Sequence, residues 1–288
     1  MTLDDLKPLI EQASKSKRGR KASSKPVKVS RKLELDYTRA LLAIVDDMHT
    51  ETVKALMPIA KQATGDSKMV ADSLFSDFKS AFSKTANTIK AKVSGIAETL
   101  AKTVVSKQKT VSDSQLIDML LKQTGIDFSG LMSDEALGDA FDEAVESNIA
   151  LIKSLSQQYL YRIEFAVMAS LQAGTLNTSL ADDLSRIEGI TQNRARLIAR
   201  DQLGKINSRL SQLRQQALGI THYTWSTSLD ERVRKRHANW EGDLIAWDSP
   251  PPDGHPGQPI QCRCTAIPYT AHLTGGPSVE EAMGLQNE

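Results

Sequence analysis

Aromatic residues are scarce in this chain of 288 residues, since phenylalanine, tryptophan and tyrosine together make up 5% of it. That share is thin for one large compact core and suits long helices better. Charged residues make up 25% and hydrophobic residues 40%, so most of the chain has the composition of a globular protein. The length allows two domains of ordinary size, or one domain with an extended helical arm.

Cysteine is also rare, with only Cys262 and Cys264, which are separated by one residue. A disulfide framework is excluded, and a bond across one residue would need strained geometry. Reduced thiols, and therefore synthesis in the cytoplasm, are the simpler interpretation. No apolar run approaches the length of a membrane span, and the first ten residues lack the apolar segment of a signal peptide. We therefore expect no membrane partner.

A large net charge is missing too, because the formal charge of +1 gives the whole molecule no attraction to nucleic acid. Positive charge is instead concentrated in residues 15–32, which contain no acidic residue. This segment cannot bury apolar area and is expected to be disordered by itself. It is either an arm that neutralises the phosphates of double-stranded DNA or a solvated linker. The candidate DNA-binding residues are Lys15, Lys17, Arg18, Arg20, Lys21, Lys25 and Lys28.

Helical periodicity dominates residues 33–219. Apolar residues between positions 33 and 56 recur at spacings of three and four, and Pro58 should end or kink this first helix. A second helix is predicted for residues 70–100. A Ser-, Lys- and Thr-rich break should follow it, before a short helix that begins at Leu116. Residues 136–173 are predicted to form one long helix or a kinked pair.

Two more helices are predicted before residue 219. The first begins at Thr178 or Ser179 and ends at Gly189, and the second runs from Thr191 to about Leu218. The basic residues of the second helix are interpreted as a solvated face opposite an apolar one. These residues are Arg194, Arg196, Arg200, Lys205, Arg209 and Arg214.

The pattern changes after residue 219, where a β-rich stretch places Tyr223 and Trp225 on one face. The elements predicted after it are a basic helix 230–240, a strand 244–247, a Pro- and Gly-rich loop 248–259 and a strand 262–269. The expected fold class is α+β, with a long-helix-rich N-terminal region followed by a small C-terminal α+β module. The predicted domains are a basic, disordered arm 1–32, helical regions 33–135 and 136–219, the α+β module 220–273 and a flexible tail 274–288.

A His/Cys cluster in this module suggests a metal site. Cys262 and Cys264 lie two apart on a predicted strand, so both thiols should point to one face. If His237 and His255 converge there, the four ligands of a structural zinc site are present. The alternative is that both cysteines are small buried hydrophobes without a metal. Arg263 points to the opposite face, where it can pair with Asp230 or Asp243.

The same residues also allow an enzymatic interpretation. Asp230, His237 and Glu241 could serve as acid and base groups, and Cys264 with His255 could form a nucleophile pair. However, the chain has no glycine-rich phosphate loop and no zinc-hydrolase helix motif. Such triples occur by chance in a chain of this size. We therefore assign no catalytic residue and expect a protein that is not an enzyme.

Several short motifs occur in a fixed order between about Val145 and Tyr269. They are Asn148–Ser154 followed by Tyr159, Arg194–Gln202 followed by Asn207, Gly219–Trp225, Asp230–Arg234 followed by His237, then Gly242, His255–Gly257 and Cys262–Cys264. Together they resemble the Mu F-like minor head protein family, also called the phage head morphogenesis family. The chain departs from the family pattern at Trp240-Glu241-Gly242, where Leu-Asp-Gly is preferred, and at Gln261, where Asn is usual.

The resemblance implies a low-copy structural protein of a tailed bacteriophage. Such a protein is made in the host cytoplasm and becomes part of the virion, inside the capsid. The implied partners are the portal protein, the packaged DNA, and scaffold or major capsid protein, and some relatives leave with the DNA on ejection. The motif residues expected to stabilise the module are Asp230, Arg232, Arg234, Gly242, Pro256 and Arg263. The alternatives are a non-sequence-specific DNA-binding protein and an enzyme acting on nucleic acid or protein.

Overall fold

The computed structural model describes residues 26–62, 68–132, 134–173 and 175–286, together with Pro8 and Ile10. Long helices come first and a small antiparallel sheet comes last, which confirms the predicted α+β fold class. The helices are α1 (Arg31–Lys61), α2 (Lys68–Thr124), α3 (Gly138–Ala173) and α4 (Leu176–Ala217). The C-terminal elements are β1 (His222–Ser226), α5 (Lys235–Asn239), β2 (Leu244–Ala246), β3 (Thr265–Pro268) and α6 (Val279–Gln286).

The chain divides into two compact units, and all four long helices α1 to α4 contribute residues to both. One unit contains Glu34–Val104 and Val145–Arg200. Its core is made by the apolar stripes of the helices, and it includes a buried polar contact in which the hydroxyl of Tyr37 donates to Asn148 Oδ1 at 3.0 Å. No helix among the residues that the structure describes has the length and apolarity needed to span a bilayer.

The other unit contains Val105–Ala144, Asp201–Glu288 and the described residues before Glu34. Its sheet has the strand order β2-β1-β3, and both pairings are antiparallel. In the register of the central strand, Tyr223 lies opposite Ile245 on one side, and Trp225 lies opposite Ala266 on the other. Sheet and helices share one unit because α4 packs on the module, where Gln215 Nε2 donates to the carbonyl of Ala266 at 3.2 Å.

Two predicted helix breaks are wrong, because α2 and α4 run through them without interruption. In the Ser-, Lys- and Thr-rich stretch of α2, the hydroxyl of Thr110 bonds back to the carbonyl of Ser106 at 3.1 Å. In α4 the hydroxyl of Thr191 likewise bonds to the carbonyl of Ile187 at 2.7 Å, so it caps no new helix. Gly189 costs a helix interior only about 1 kcal/mol, which packing overrides.

The ends of the chain also differ from the sequence prediction. Part of the predicted basic arm is ordered, since Val27 is buried in a core cluster and α1 already begins at Arg31. The predicted flexible tail contains α6. The basic helix is shorter than expected, because Asp230 lies in a turn before it and the helix itself is α5.

Candidate functional site

The central strand β1 positions the aromatic side chains of the module. Burial alternates along it, so that Tyr223 and Trp225 lie on the same buried face, as the sequence predicts. Both rings are fully buried and anchor a hydrophobic cluster. The cluster consists of Tyr223, Trp225, Trp247, Cys262, Cys264 and Ala266, with Trp240 and Ile245 packed against it.

Three of the four predicted metal ligands come together in this cluster. The Sγ atoms of Cys262 and Cys264 each lie 3.5 Å from Nδ1 of His237. All three ligand atoms lie within 4.8 Å of one another, and all three side chains are buried. Both cysteines are free thiols, as expected from their spacing. The structure therefore assembles a compact site that contains one imidazole and two sulfur atoms.

The turn before β3 brings the two cysteines to the same side. Gln261 has a positive φ of 57°, and its backbone N–H donates to Asp201 Oδ1 at 2.9 Å. The backbone N–H of Gly257 donates to Cys262 Sγ at 3.4 Å. A side chain at Gly257 would be excluded, because a Cβ there would lie 2.9 Å from Cβ of Ser208. Cys262 thus lies in a turn rather than in the predicted strand, yet both sulfur atoms still reach His237.

The imidazole of His237 is fixed on all sides by neighbouring groups. Asp253 Oδ2 lies 3.3 Å from its Nε2, and Asp253 is in turn paired with Arg236. The ring stacks on Trp240 at a centroid distance of 5.4 Å and meets Trp225 edge to face at 5.2 Å. A carboxylate at Nε2 keeps the ring proton there, so the lone pair of Nδ1 faces the sulfur atoms.

The two thiols have opposite tendencies to ionise. The hydrogen bond between them lowers the pKa of Cys262 and raises the pKa of Cys264, because two adjacent buried thiols do not both ionise. The N–H of Gly257 also lowers the pKa of Cys262, despite burial, which acts in the opposite direction. Without a further positive charge, this pair carries at most one thiolate.

The structure does not bring His255, the fourth predicted ligand, to the other three residues. Its Nδ1 lies 2.9 Å from the hydroxyl of Tyr223, and the ring makes a second hydrogen bond to the backbone of Trp247. The ring packs on Trp247 at a centroid distance of 4.8 Å. Burial lowers the pKa of His255. Because its ring already has these partners, His255 supports the sheet and does not join His237.

The charged motif residues stabilise the turns around this site. Arg263 pairs with Asp230, which resolves the two alternatives left by the sequence, and this ion pair lowers the pKa of Asp230. Asp230 Oδ1 also accepts the backbone N–H of Arg232, whose own side chain is exposed. Arg234 donates to the carbonyl of Ile260 at 2.7 Å and so connects the start of α5 to the cysteine turn.

The two uncharged motif residues occupy backbone positions with special geometry. Gly242 has a φ of 87°, and its N–H donates to the carbonyl of Trp225 at 2.9 Å. The carbonyl of Pro256 accepts a hydrogen bond from the hydroxyl of Ser208 at 2.5 Å, which fixes the Pro- and Gly-rich loop on α4. Sequence reasoning missed Ser208 as a partner, because nothing local to α4 indicates that a loop lies against it.

The groups of the enzymatic interpretation have separate partners. The carboxylate of Glu241 accepts the backbone N–H of Thr227 at 2.5 Å instead of pairing with the histidine of α5. Asp230 is neutralised by an arginine. The ring of His255 bonds to a tyrosine and a backbone group rather than to Cys264. The proposed acid, base and nucleophile groups therefore do not form the pairs that the enzymatic interpretation requires.

Most of the candidate DNA-binding residues lie outside the described residues, namely Lys15, Lys17, Arg18, Arg20, Lys21 and Lys25. Lys28 is described and its side chain is exposed. Its backbone is fixed by Gln115, whose side chain accepts from the N–H at 2.7 Å and donates to the carbonyl at 3.0 Å. The charge of Lys28 thus faces solvent near the start of the described range 26–62.

An exposed aromatic pair lies on α3 and was not among the residues predicted from the sequence. Tyr161 and Phe165 are one helical turn apart and remain 70% and 69% exposed, although both are large and aromatic. They line a shallow surface depression together with Ile190, which is 40% exposed. The sequence nevertheless indicates this exposure. The buried stripe of α3 contains Tyr159 and Ile163, and positions 161 and 165 lie outside that stripe.

Comparison with known proteins identifies the C-terminal region. The family model described as Phage Mu protein F like protein matches residues 161–267. An uncharacterized protein of Haemophilus influenzae is 34% identical over 266 residues, which cover 90% of this chain and 58% of that protein. The chain thus spans little more than half the length of this relative, and no solved structure matches it. Residues 161–267, which contain the exposed aromatic pair and the His/Cys cluster, are therefore similar to the Phage Mu protein F like family.

Proposed function

We propose that this chain is a minor head protein of a tailed bacteriophage, which joins the assembling capsid through the portal protein. The family match over residues 161–267 carries this proposal. In this role the protein is made in the host cytoplasm and ends inside the virion. Its contribution is structural, and the match to a family of phage head proteins supports assembly over catalysis.

We infer that the portal contact includes the exposed aromatic pair. Large aromatic side chains on a surface bury much area at little entropic cost when a partner covers them, and they dominate the binding energy of many interfaces. Tyr161 and Phe165 lie at the start of the family match, and Ile190 extends the apolar surface beside them. Asp183 and Arg186 line the same depression and supply a polar rim.

Replacing both Tyr161 and Phe165 by serine is expected to weaken binding to purified portal oligomers at least about 30-fold, since interface hot spots each contribute about 2 kcal/mol or more. Both side chains are already exposed, so the free energy of unfolding should change little. Binding is measured by titrating labelled protein with portal oligomers, and stability is measured by urea unfolding of the same samples.

The matched control is Phe75→Ser, which removes another exposed phenylalanine, 40% exposed, from the same compact unit. It should leave portal binding within about twofold of the unchanged protein. Equal portal affinity of the double variant and the unchanged protein would contradict the assignment of this surface. A large loss of portal affinity with Phe75→Ser alone would place the portal contact on the surface around Phe75 instead.

We also propose that the basic segment contacts packaged DNA. Its support is the concentration of positive charge in residues 15–32 and the exposure of Lys28, near the start of the described range 26–62. Val27 is buried, so the test must spare the residues after position 25. The variant replaces six residues by glutamine, namely Lys15, Lys17, Arg18, Arg20, Lys21 and Lys25.

This variant should bind duplex DNA much more weakly, with a plot of log K against log salt that is shallower by up to about 5, because each phosphate contact contributes about 0.9 to the slope. The matched control replaces six exposed lysines elsewhere, namely Lys54, Lys61, Lys79, Lys84, Lys90 and Lys107. An identical slope for the basic-segment variant and the unchanged protein would contradict the DNA contact. If the variant loses DNA binding but still enters procapsids, DNA binding is not the main role of the protein.

A further inference from the structure

We propose that His237, Cys262 and Cys264 bind a zinc ion through Nδ1 and the two sulfur atoms. The distances carry the assignment. With zinc–sulfur bonds of about 2.3 Å and zinc–nitrogen bonds of about 2.05 Å, tetrahedral angles place sulfur and nitrogen about 3.6 Å apart. Both Sγ–Nδ1 distances in the structure are 3.5 Å. The two sulfur–nitrogen distances thus fit two edges of a zinc tetrahedron.

Hydrogen bonding to the ring accounts for only one of the two sulfur–nitrogen contacts. With its proton on Nε2 facing Asp253, the His237 ring offers one lone pair at Nδ1, which accepts a single thiol proton. Two sulfur atoms nevertheless lie equally close to that nitrogen. A dipositive ion at the centre satisfies all three atoms at once, because it binds the lone pair and stabilises both cysteines as thiolates.

The groups around the ligands match those that support a zinc site. Asp253 and His237 form the carboxylate–histidine pair that orients the imidazole and raises its basicity toward a metal. The N–H of Gly257 points at Cys262 Sγ. The indole N–H of Trp225 is buried without a hydrogen-bond partner among the described residues.

The ligand chemistry selects the metal. Thiolate and imidazole ligands suit zinc and disfavour magnesium and calcium, which require oxygen ligands. Three protein ligands leave the fourth position of the tetrahedron to a small external ligand such as water. The ligands come from α5 and from the turn before β3, so a bound ion would join two segments that the sequence separates by about 25 residues.

The test uses the full chain, purified under reducing conditions and analysed for metal by mass spectrometry. The expected content is about one zinc per chain. After removal by a chelator, the chain should take up cobalt(II) and show the intense visible bands of a tetrahedral site with a near-ultraviolet thiolate-to-metal band. Failure of the unchanged chain to contain or take up either metal overturns the proposal.

Variants assign the ligands. Cys262→Ser and Cys264→Ser should each lower zinc affinity by at least about 100-fold, which exceeds the loss typical of an orienting group. His255→Gln is the control, because this buried histidine has other partners and should retain zinc fully. Loss of zinc in His255→Gln with retention in Cys262→Ser overturns the assignment. If a cysteine variant does not fold, the cobalt spectrum of the unchanged chain tests the ligand assignment instead. A spectrum without the thiolate band overturns the proposal.

Asp253 is a positioning residue in this proposal, since it acts through His237. Asp253→Asn should weaken zinc binding by about 10–100-fold while the shape of the cobalt spectrum stays the same, because all three ligands are still present. A purely structural role for Asp253 predicts lower stability of the metal-free chain with unchanged zinc affinity. That second outcome would contradict the positioning role.

Discussion

Replacing Arg214 by methionine is expected to lower the free energy of unfolding by about 3 kcal/mol, because it leaves the half-buried carboxylate of Asp113 without its main partner. The Arg214 side chain is only 3% exposed, although the sequence places it among solvated arginines. Its guanidinium makes two hydrogen bonds of 2.8 Å to Asp113 and one of 2.9 Å to Asp134. Lys109 also contacts both carboxylates, which keeps the expected loss near the lower end for a buried ion pair.

Urea unfolding measures this loss, with Arg209→Met as the control on the same helix. Arg209 is exposed and, among the residues that the structure describes, bonds to the nearby side chain of Gln212, so its replacement should change stability by less than about 0.5 kcal/mol. The double variant Asp113→Asn/Arg214→Met should recover part of the loss, since it removes the unpaired charge. Equal stabilities of the two arginine variants would contradict the buried ion pair.

Trp225→Ala is expected to lower the free energy of unfolding by about 3–5 kcal/mol, because it removes a fully buried aromatic side chain from the centre of the module. Trp225 contacts Trp240 at a centroid distance of 4.9 Å and His237 at 5.2 Å. Its loss leaves a cavity beneath the ring of His237, between the sheet and α5.

This stability is measured with and without a chelator, so that the packing of the indole is separated from any bound metal. Tyr161→Ala is the control, because it removes an aromatic side chain that is 70% exposed and should change stability by less than about 0.5 kcal/mol. If Trp225→Ala unfolds at the same urea concentration as the control in both conditions, the module does not depend on this core.

The sequence predicts the elements well wherever a periodic pattern decides them. The apolar stripe of α3 and the alternation of Tyr223 and Trp225 in β1 both appear as expected. The helix breaks in α2 and α4 were wrong because serine, threonine and glycine weaken a helix only slightly, and tertiary packing exceeds that cost. Arg214 continues the apolar spacing after Leu210, but its carboxylate partners lie at positions 113 and 134. No local pattern reveals them.

The candidate site was predictable only in part, for a similar reason. The close spacing of Cys262 and Cys264 correctly indicated that both sulfur atoms reach one side, and His237 was correctly placed with them. His255 does not reach the other three residues, because Tyr223, from a distant strand, provides its hydrogen bond. Asp253 was missed because its role depends on the path of a Pro- and Gly-rich loop, which residue types alone do not define.

Procapsid composition is the most direct test of the assembly role. Procapsids are assembled in cells from the portal, scaffold and capsid proteins of the same phage together with this chain, with and without the portal gene, and their proteins are quantified by mass spectrometry. We expect this chain in portal-containing procapsids at a copy number that follows the number of portal subunits, and little of it in procapsids without portal. Portal-containing procapsids that lack this chain, although it is abundant and folded in the same cells, would contradict its role as a head protein.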